Sequence, residues 1–584
     1  MSDTTTPNTG SAVGDGEPTN QVLVGFEADD IQRYIMQRNP LRQMVGASAI
    51  IEALGATGPD SLICTLFAKL DITPIAWGRS GGGGFVVQLP DENAATRLLT
   101  AWPLVVDRQA PGLPFVLEMV TATHVYTAWL ALRSKMRQGK QQPSLGLPPY
   151  TLAMQYEPRS SQALAAGGKM SHQSQRKHAA AVVPGDNQRT LDVVAGVLNL
   201  QGAEGVTHLW PRDMSTAGQK ALEGTDNGVV NDVILFPHRN KAGQAITTVG
   251  VIHIDGNGFG LLGDGLASLK GEDKPKILAA QAGLSALITT ICHTAANAAV
   301  NAVLLADATA ATEYIIPARP LILAGEDVSI IVRSDLALPF VKKFLETFEA
   351  ASIPALGHLK TLVSNWPGLP EKLTACAGVA LVAGNYPFDL AHQLAEELCS
   401  QAKVESKRYS KTVGPGTVVF KRVTSALQDE SSGLNRAEMT VGVRHIQLGQ
   451  LAYAVEPATS AIATTTPTLA SLLGFVAHLQ SQNDEKNSAR TLIGRMAETS
   501  GLHPLNADYA RITKKYTAFN TELLKVAASG KSPQQLTGLP FLSWADQTTT
   551  APSDEAVTTE SSSPPLGCPL HDALSLVAAA AGEA

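Results

Sequence analysis

The sequence predicts an α+β fold made of two related blocks, followed by a smaller helical region. Three observations lead to this prediction. Strand-length apolar runs and helical patterns alternate in residues 21–158 and do so again in residues 244–430. Each block also contains a strand–turn–strand pattern, and residues 469–530 follow a helical pattern with no strand signal of comparable strength. Two variations on one plan indicate an internal duplication.

The first block opens with an apolar strand over residues 22–26, which ends at Glu27 and Asp29. Helical patterns follow from Asp30 and over residues 45–54. A hairpin is then predicted from residues 74–77, the glycine run 81–84 and residues 85–89, because glycines punctuate two strand-like runs.

The second block repeats this order. A strand over residues 247–254 ends at Asp255, and a helix follows whose apolar residues recur at helical spacing. Next come a hairpin around residues 324–327, a helix over 335–349, a strand over 373–382 and a helix over 387–403. The order β-α-β-β-α-β with an extra helix predicts a ferredoxin-like domain.

These patterns divide the chain into consecutive segments. They are a disordered N-terminus (1–20), the first ferredoxin-like domain (21–158), a helical or irregular linker (159–243), the second ferredoxin-like domain (244–430), a small α-helical domain (431–545), a disordered linker (546–566) and a short helix (567–584). Disorder is predicted where Thr, Ser and Pro dominate, because such segments bury too little apolar surface to offset their ordering entropy.

Composition narrows the functional class. The five cysteines are far apart and form no CxxC pair, which argues against a disulfide framework or a zinc ribbon and fits a cytoplasmic protein. The N-terminus has no signal-peptide pattern, and polar residues interrupt the apolar helices, so no membrane association is expected. A net charge of −7 argues against a large nucleic-acid-binding surface.

The acidic residues around the second hairpin are the main functional signal. Glu326 and Asp327 follow Gly325 between two apolar runs, and Asp255 ends a separate strand. One interpretation is an exposed hairpin tip with solvated acids, but strands this apolar are expected to be buried, which favours a site. Carboxylates from separate strands can hold Mg²⁺ or Mn²⁺ against substrate phosphates.

Other motifs have ordinary alternatives. The Asp255-Gly256-Asn257 sequence is also typical of a plain turn, and the GxGxxG match at residues 258–263 is weak because Asp255 already closes the strand. Lys403 is placed either to complement a helix C-terminus or to bind a triphosphate. The glycines at 81–84 could cradle a phosphate with backbone N–H groups, although they lack the GK[ST] of a P-loop.

Several stretches together resemble the large palm-containing subunit of type III CRISPR effector complexes, the CRISPR polymerase, which is related to GGDEF cyclases. The resemblance covers residues 21–430, with residues up to 545 as a continuation. It is carried by residues 24–35 with 41–42 and 46–49, by Asp255-Gly256-Asn257 with the 324–327 hairpin, and by residues 376–380, 387–389 and 402–403.

This resemblance implies a non-catalytic first palm domain, a catalytic second one, and condensation of nucleoside triphosphates, ATP above all, into a cyclic or short oligonucleotide signal. Asp255, Glu326 and Asp327 would hold Mg²⁺ or Mn²⁺. The nucleotide-binding residues it implies are Gly256, Asn257, Gly325 and Lys403 in the second palm, and Ser48, Gly82 and Gly83 in the first. Implied partners are other effector subunits and guide or target RNA.

The sequence also departs from the family. No HD nuclease domain precedes the first palm, and the four-cysteine zinc element is missing between the palms. Ala324 replaces the first hairpin glycine, where a positive φ would strain it, and Glu326 replaces an aspartate. Two alternatives therefore stay open: a catalytically inactive palm subunit with a structural or RNA-binding role, and a stand-alone GGDEF-like cyclase acting on GTP.

Overall fold

The structure is a computed structural model, and it describes most of both predicted blocks. The described residues are 20–36, 41–141, 170–181, 197–201, 206–211, 245–306, 313–363, 365–410 and 412–423, short segments between 214 and 243 and between 437 and 481, and residues 566–568, 572 and 576. The segments predicted to be disordered, 1–20 and 546–566, lie almost wholly outside this part of the chain, as does the helical region beyond residue 481.

The first unit has a four-stranded antiparallel sheet with helices packed on it. Its elements in chain order are β1 (Gln21–Ala28), α1 (Ile31–Met36), α2 (Leu41–Gly55), α3 (Leu62–Lys69), β2 (Ala76–Gly81), β3 (Gly84–Leu89), α4 (Glu92–Gln109), β4 (Phe115–Ala122) and α5 (Val125–Gly139). The strand order is β2-β3-β1-β4, so the first strand lies between the hairpin and the last strand. This is the split β-α-β plan.

The segment between the units is partly regular. Its described elements are α6 (His172–Ala180), β5 (Thr207–Leu209), β6 (Val229–Val230) and β7 (Val233–Ile234). Helix α6 packs against α2, and Lys177 Nζ donates to the Tyr34 carbonyl at 2.5 Å. Part of the predicted linker therefore belongs to the first unit's core.

The second unit repeats the plan with a larger sheet. Its elements are β8 (Thr248–Asn257), α7 (Phe259–Leu266), α8 (Ile277–Ala299), β9 (Glu313–Ile315), β10 (Ala318–Ala324), β11 (Asp327–Arg333), α9 (Ser334–Leu362), β12 (Thr374–Ala383), α10 (Phe388–Tyr409) and β13 (Thr417–Arg422). The sheet order is β10-β11-β8-β12-β13-β16, where β16 is Tyr453–Ala454. Both units thus contain the predicted strands and helices in the predicted order.

Several predicted boundaries were wrong. Asp255 does not end its strand, because β8 continues to Asn257 and pairs with β12 over its whole length. Helix α9 runs to Leu362 rather than stopping at 349, since Leu356 and Leu359 are buried against its neighbours. Ala324 is not strained: it pairs with Asp327 inside the hairpin, and Gly325 alone takes the positive φ, 60°.

The region after the second unit is not purely helical where it is described. Strands β14 (Ala437–Val441) and β15 (Arg444–Leu448) form a hairpin inside the predicted α-helical domain 431–545, and α11 (Leu469–Ser481) follows. Cys568 lies in strand β17 (Leu566–Cys568) rather than in a helix, and β17 pairs with β15. Strand-like alternation here was too short to stand out from the sequence.

The segment Gly271–Leu304 is long and apolar enough to cross a membrane by length and composition, contrary to the expectation from its polar interruptions. In the structure its main part, α8, packs against α9 and β2. Ile291, Cys292 and Ala295 on this helix are buried. Its packed face therefore joins the two units.

Candidate functional site

Asp255 and Asp327 meet on adjacent strands of the second unit's sheet. Strands β8 and β11 run antiparallel with Val328 opposite Ile254, so the next pair outward places Asp327 opposite Asp255. A carboxylate oxygen of each acid and a ring nitrogen of His253 all lie within 4.8 Å of one another. Two of the three acids predicted to converge, Asp255 and Asp327, thus lie side by side.

The third predicted acid takes a different position. Glu326 is the second residue of the two-residue turn after Gly325, and it lies outside the group formed by Asp255, Asp327 and His253 among the described residues. It lines the cleft between the two units instead. The structure therefore gives His253 the place next to the paired acids that the sequence analysis assigned to Glu326.

Helix α10 covers the same face of the sheet and contributes a cation. Lys403 Nζ forms an ion pair with Asp255 Oδ2, and both side chains are partly exposed. His392, Glu396 and Lys403 recur at spacings of 4 and 7 residues on this helix, which puts them on one side of it. Because α10 continues to Tyr409, Lys403 lies before its last turn, and its ammonium faces an acid of the site.

The charge around Asp327 is unbalanced. Burial raises the pKa of Asp327 to about 7, with help from Asp255 and Glu326, while Lys403 opposes the shift. Neighbouring carboxylates disfavour ionisation because each added negative charge repels the others. A divalent cation at this position would relieve that repulsion, so the residues present fit a metal ion.

Two buried histidines lie beside the acids. Burial lowers the pKa of His253 to about 4 and that of His392 to about 3, so both rings are neutral at pH 7. Their ring centroids are 5.5 Å apart, and the Ser329 hydroxyl lies 2.8 Å from His392 Nε2 and 3.4 Å from His253 Nδ1. Neutral imidazole is the form that binds metals.

A cleft between the two units reaches the acidic site. It contains adjoining cavities of about 420 and 380 Å³, which share lining residues from both units, and Asp327 lines the smaller one. Volumes of this size are typical of small-molecule sites. Of the predicted first-unit residues, Ser48 lines the smaller cavity and Gly82 lines both, whereas Gly83 is buried beneath Ile31 and Ile51.

The first unit supplies positive charge to this cleft. Arg79 Nη1 donates to Glu27 at 2.7 Å, and Lys140 Nζ lies 3.2 Å from the same carboxylate. Burial would raise the pKa of Glu27, but the two cations outweigh that effect and hold it below its ordinary value. These two cations give the first-unit wall of the larger cavity an excess of positive charge, whereas Asp29, Asp30 and Glu52 also line the smaller one.

Two of the predicted nucleotide-binding residues have structural roles. The Asn257 amide is buried and donates to Thr374 Oγ1 at 3.0 Å, with Cys376 Sγ and Ser406 Oγ also in reach, so it ties β8 to β12 and α10. Gly256 is needed because a Cβ there would lie 1.8 Å from the Phe259 ring. Neither residue lines the cavities described above.

The sequence analysis missed His253, His392, Glu396, Arg79 and Lys140. A signal existed for some of them. His253 precedes Asp255 by two residues in a strand and must share its face, and the i, i+4 spacing of His392 and Glu396 places them together on a helix. Arg79 and Lys140 carried no such signal, because only the packing of β2 and α5 on the second unit brings them to the cleft.

Comparisons with known proteins give a likeness in fold. The structure is similar to solved Csm1–Csm4 cassettes of type III-A CRISPR complexes. The apo Csm1–Csm4 cassette matches with a TM-score of 0.43 and 15% identity, over 89% of this chain and 72% of that chain. The cassette in complex with cA4 matches with a TM-score of 0.40 and 13% identity, over 87% and 69% of the two chains.

The Csm1–Csm4 subcomplex of the type III-A CRISPR-Csm interference complex gives a TM-score of 0.41 and 13% identity, over 87% of this chain and 70% of that chain. These assemblies are of the type III class that the sequence motifs resemble. No protein-family model matches the sequence, and no curated protein matches it. Because these TM-scores are below 0.5, the likeness carries no functional argument, and the proposal below rests on the side chains of this chain.

Proposed function

We propose that this protein is a metal-dependent nucleotidyltransferase of the palm type, in which the second unit is catalytic and the first is not. It condenses nucleoside triphosphates, ATP above all, into a cyclic or short oligonucleotide signal in type III CRISPR-like antiviral defence. The observation that carries the proposal is the approach of Asp255 and Asp327 from adjacent strands, with Lys403 beside them, at a cleft of nucleotide size.

The acids are the proposed ligands for Mg²⁺ or Mn²⁺. Asp255 and Asp327 would hold the cation, with the charge of Glu326 close by in the turn. Carboxylate oxygens are ligands that both of these ions accept. When bound, such cations supply Lewis-acid stabilisation of phosphate charge and lower the pKa of an attacking hydroxyl.

The cationic side chains would bind and orient the nucleotides. Lys403 now neutralises Asp255, and a metal ion on that carboxylate would release the ammonium towards a triphosphate. Arg79 and Lys140 would hold the phosphates of the acceptor nucleotide on the opposite wall. Gly82, with a φ of 57°, lets the backbone of the first hairpin approach a phosphate without a side chain in the way.

A second candidate function is favoured by one observation. The ion pair between Lys403 and Asp255 places a protein cation where a metal ion would bind. If that pair persists in solution, the second unit is catalytically silent, and the chain acts as a structural or RNA-binding subunit of a CRISPR-like ribonucleoprotein.

Incubation with each nucleoside triphosphate tests the proposal. With Mg²⁺ or Mn²⁺, and with candidate RNA activators, the full chain should form an oligonucleotide detectable by mass spectrometry. Asp327→Asn should lower the rate by more than about 100-fold, since losing a metal ligand costs at least as much as losing an outer hydrogen-bond partner. The matched control is Glu405→Gln on α10, whose partner is Arg408 at 2.8 Å, and it should leave the rate unchanged.

The outcomes separate the two candidates. No product from the wild-type chain with any nucleotide, metal or activator would eliminate the enzyme and support the silent subunit. Product formation by Asp327→Asn at the wild-type rate would show that the chemistry occurs elsewhere in the chain.

A further inference from the structure

A second group of side chains that can ligate a metal lies between strand β8 and helix α10, beside the first group. One nitrogen from each ring of His253 and His392 and a carboxylate oxygen of Glu396 lie within 4.8 Å of one another. Both histidines are buried, and Glu396 is partly exposed. The proposed nucleotidyl transfer does not need these three residues as ligands.

Ser329 organises this group. Its hydroxyl lies near Nε2 of His392 and Nδ1 of His253, at 2.8 and 3.4 Å. The other two ring nitrogens, Nδ1 of His392 and Nε2 of His253, are then the ones that would bind a metal ion. Nδ1 of His392 lies 3.7 Å from Glu396 Oε1. A hydrogen bond to one ring nitrogen fixes the orientation and tautomer of a ligating histidine, and this arrangement is usual around bound metals.

We propose that His253, His392 and Glu396 form a separate site for a divalent first-row transition ion, with Zn²⁺ as its simplest occupant. Two imidazoles and one carboxylate are a ligand set that zinc takes, whereas Mg²⁺ prefers oxygen ligands alone. This inference goes beyond the proposed function and does not depend on it.

The spacing of the group suits such an ion. Ligand atoms about 2.0–2.2 Å from a tetrahedral zinc are roughly 3.3–3.6 Å apart, so the 3.7 Å separation of His392 and Glu396 needs little adjustment. His253 lies in β8, while the other two ligands lie in α10. The ion would therefore tie the helix that carries Lys403 to the strand that carries Asp255.

Metal retention by the full-length chain tests the site. Protein stripped with EDTA is titrated with Zn²⁺ in the presence of millimolar Mg²⁺, and bound metal is measured by mass spectrometry. One tightly bound zinc per chain is expected. Replacing zinc by Co²⁺ should give the visible absorption of a nitrogen-ligated, four-coordinate ion.

Three variants and a control locate the site. Glu396→Gln and His392→Gln should each weaken zinc binding by more than about 100-fold, and Ser329→Ala by about 10- to 100-fold. Glu397→Gln, which removes the adjacent carboxylate of the same helix, should bind zinc as the wild type does. Glu396 is partly exposed, so its variant should fold, and circular dichroism checks this for every variant.

The failure of this inference is distinct from the failure of the proposed function. Asp327→Asn should abolish nucleotide condensation but retain zinc. No retained zinc in the wild type, wild-type affinity in Glu396→Gln, or loss of zinc in Asp327→Asn would each overturn the proposed site.

Discussion

At Asp327, three effects act on a single carboxyl group. Partial burial and the carboxylates of Asp255 and Glu326 favour its protonated form, while Lys403 favours the charged form. Burial and the two neighbouring carboxylates outweigh Lys403, so the pKa of Asp327 reaches about 7. Under the proposed function, a carboxyl group with this pKa would exchange its proton for a metal ion near neutral pH.

This balance predicts a pH-dependent stability in the metal-free protein. The pKa of Asp327 is about 7 in the folded chain against an ordinary 3.8. The contribution of this carboxyl group to the free energy of unfolding is therefore fully present below about pH 4 and is lost as the pH rises through 7. With EDTA present, Asp327→Asn should therefore melt at a higher temperature than the wild type at pH 8. Thermal melts at pH 8 and pH 5 measure this difference.

The difference between the two proteins should shrink at pH 5, where the wild-type carboxyl is protonated. Mg²⁺ in place of EDTA should raise the melting temperature of the wild type at pH 8 but not that of the variant, because Mg²⁺ prefers oxygen ligands. Equal melting temperatures of the metal-free proteins at pH 8 would contradict the assigned environment of Asp327.

Individual residues could be placed from the sequence where they lie in a strand, because side chains alternate between the two faces of a strand with a period of two. The two acids were identified because apolar strands flank them, and His253 could have been added from its period-2 relation to Asp255. Glu326 was misplaced because a turn residue has no such period. The direction of the Glu326 side chain depends on the turn, in which Gly325 has a φ of 60°, and local composition does not determine that angle.

At the scale of elements, the contact between α10 and the sheet positions most of the site. Helix α10 carries His392, Glu396 and Lys403, and it lies close on β12 at Gly378. A Cβ at Gly378 would come within 1.9 Å of the Ala395 carbonyl oxygen and 2.4 Å of the Cys399 nitrogen. Only glycine lets the helix backbone approach the strand this closely.

Gly378→Ala should therefore push α10 away from the sheet. We expect a loss of about 1–3 kcal/mol in the free energy of unfolding, the usual cost of overpacking, together with weaker zinc retention because the helix carries two of the ligands. Denaturant titration measures the first effect. The control is Gly357→Ala in α9, where a Cβ meets nothing within 4 Å and should add up to about 1 kcal/mol of stability.

If Gly378→Ala were as stable as the wild type, the close approach of α10 to β12 would be contradicted.

The ends of helices show a related limit of prediction from sequence. Helix α9 continues through Pro339 and Pro354 because its packing on α8 outweighs the local cost of proline. The predicted end at 349 was too early because this packing partner is distant in the sequence.

At the scale of the whole molecule, the cleft exists only because the two units pack together. Trp129 Nε1 donates to Gln281 Oε1 at 2.9 Å, and the Tyr126 hydroxyl donates to the Ala267 carbonyl at 2.7 Å. Both bonds join α5 of the first unit to the second unit. They hold Arg79 and Lys140 across the cleft from Glu326.

Trp129→Ala should loosen this contact. Removing a buried tryptophan costs about 3–5 kcal/mol, so the single unfolding transition expected for packed units should broaden or split in calorimetry. If the proposed function holds, nucleotide condensation should fall in parallel, since Arg79 and Lys140 would move away from the second unit. Leu104→Ala, at an exposed site of the first unit, should change stability by no more than about 0.5 kcal/mol.

A single transition at the wild-type temperature for Trp129→Ala would show that the units are held by other contacts, and the cleft would lose its structural basis.

The sequence by itself determined the two β-α-β-β-α-β units, the acidic hairpin and the convergence of Asp255 with Asp327. Each of these follows from local periodicity, turn chemistry and the pairing of neighbouring strands. Tertiary structure alone decided the ion pair of Lys403 with Asp255, the grouping of both histidines with Glu396, and the cationic wall around Glu27. These contacts join residues far apart in the chain, and their partners are chosen by the packing of whole helices and sheets.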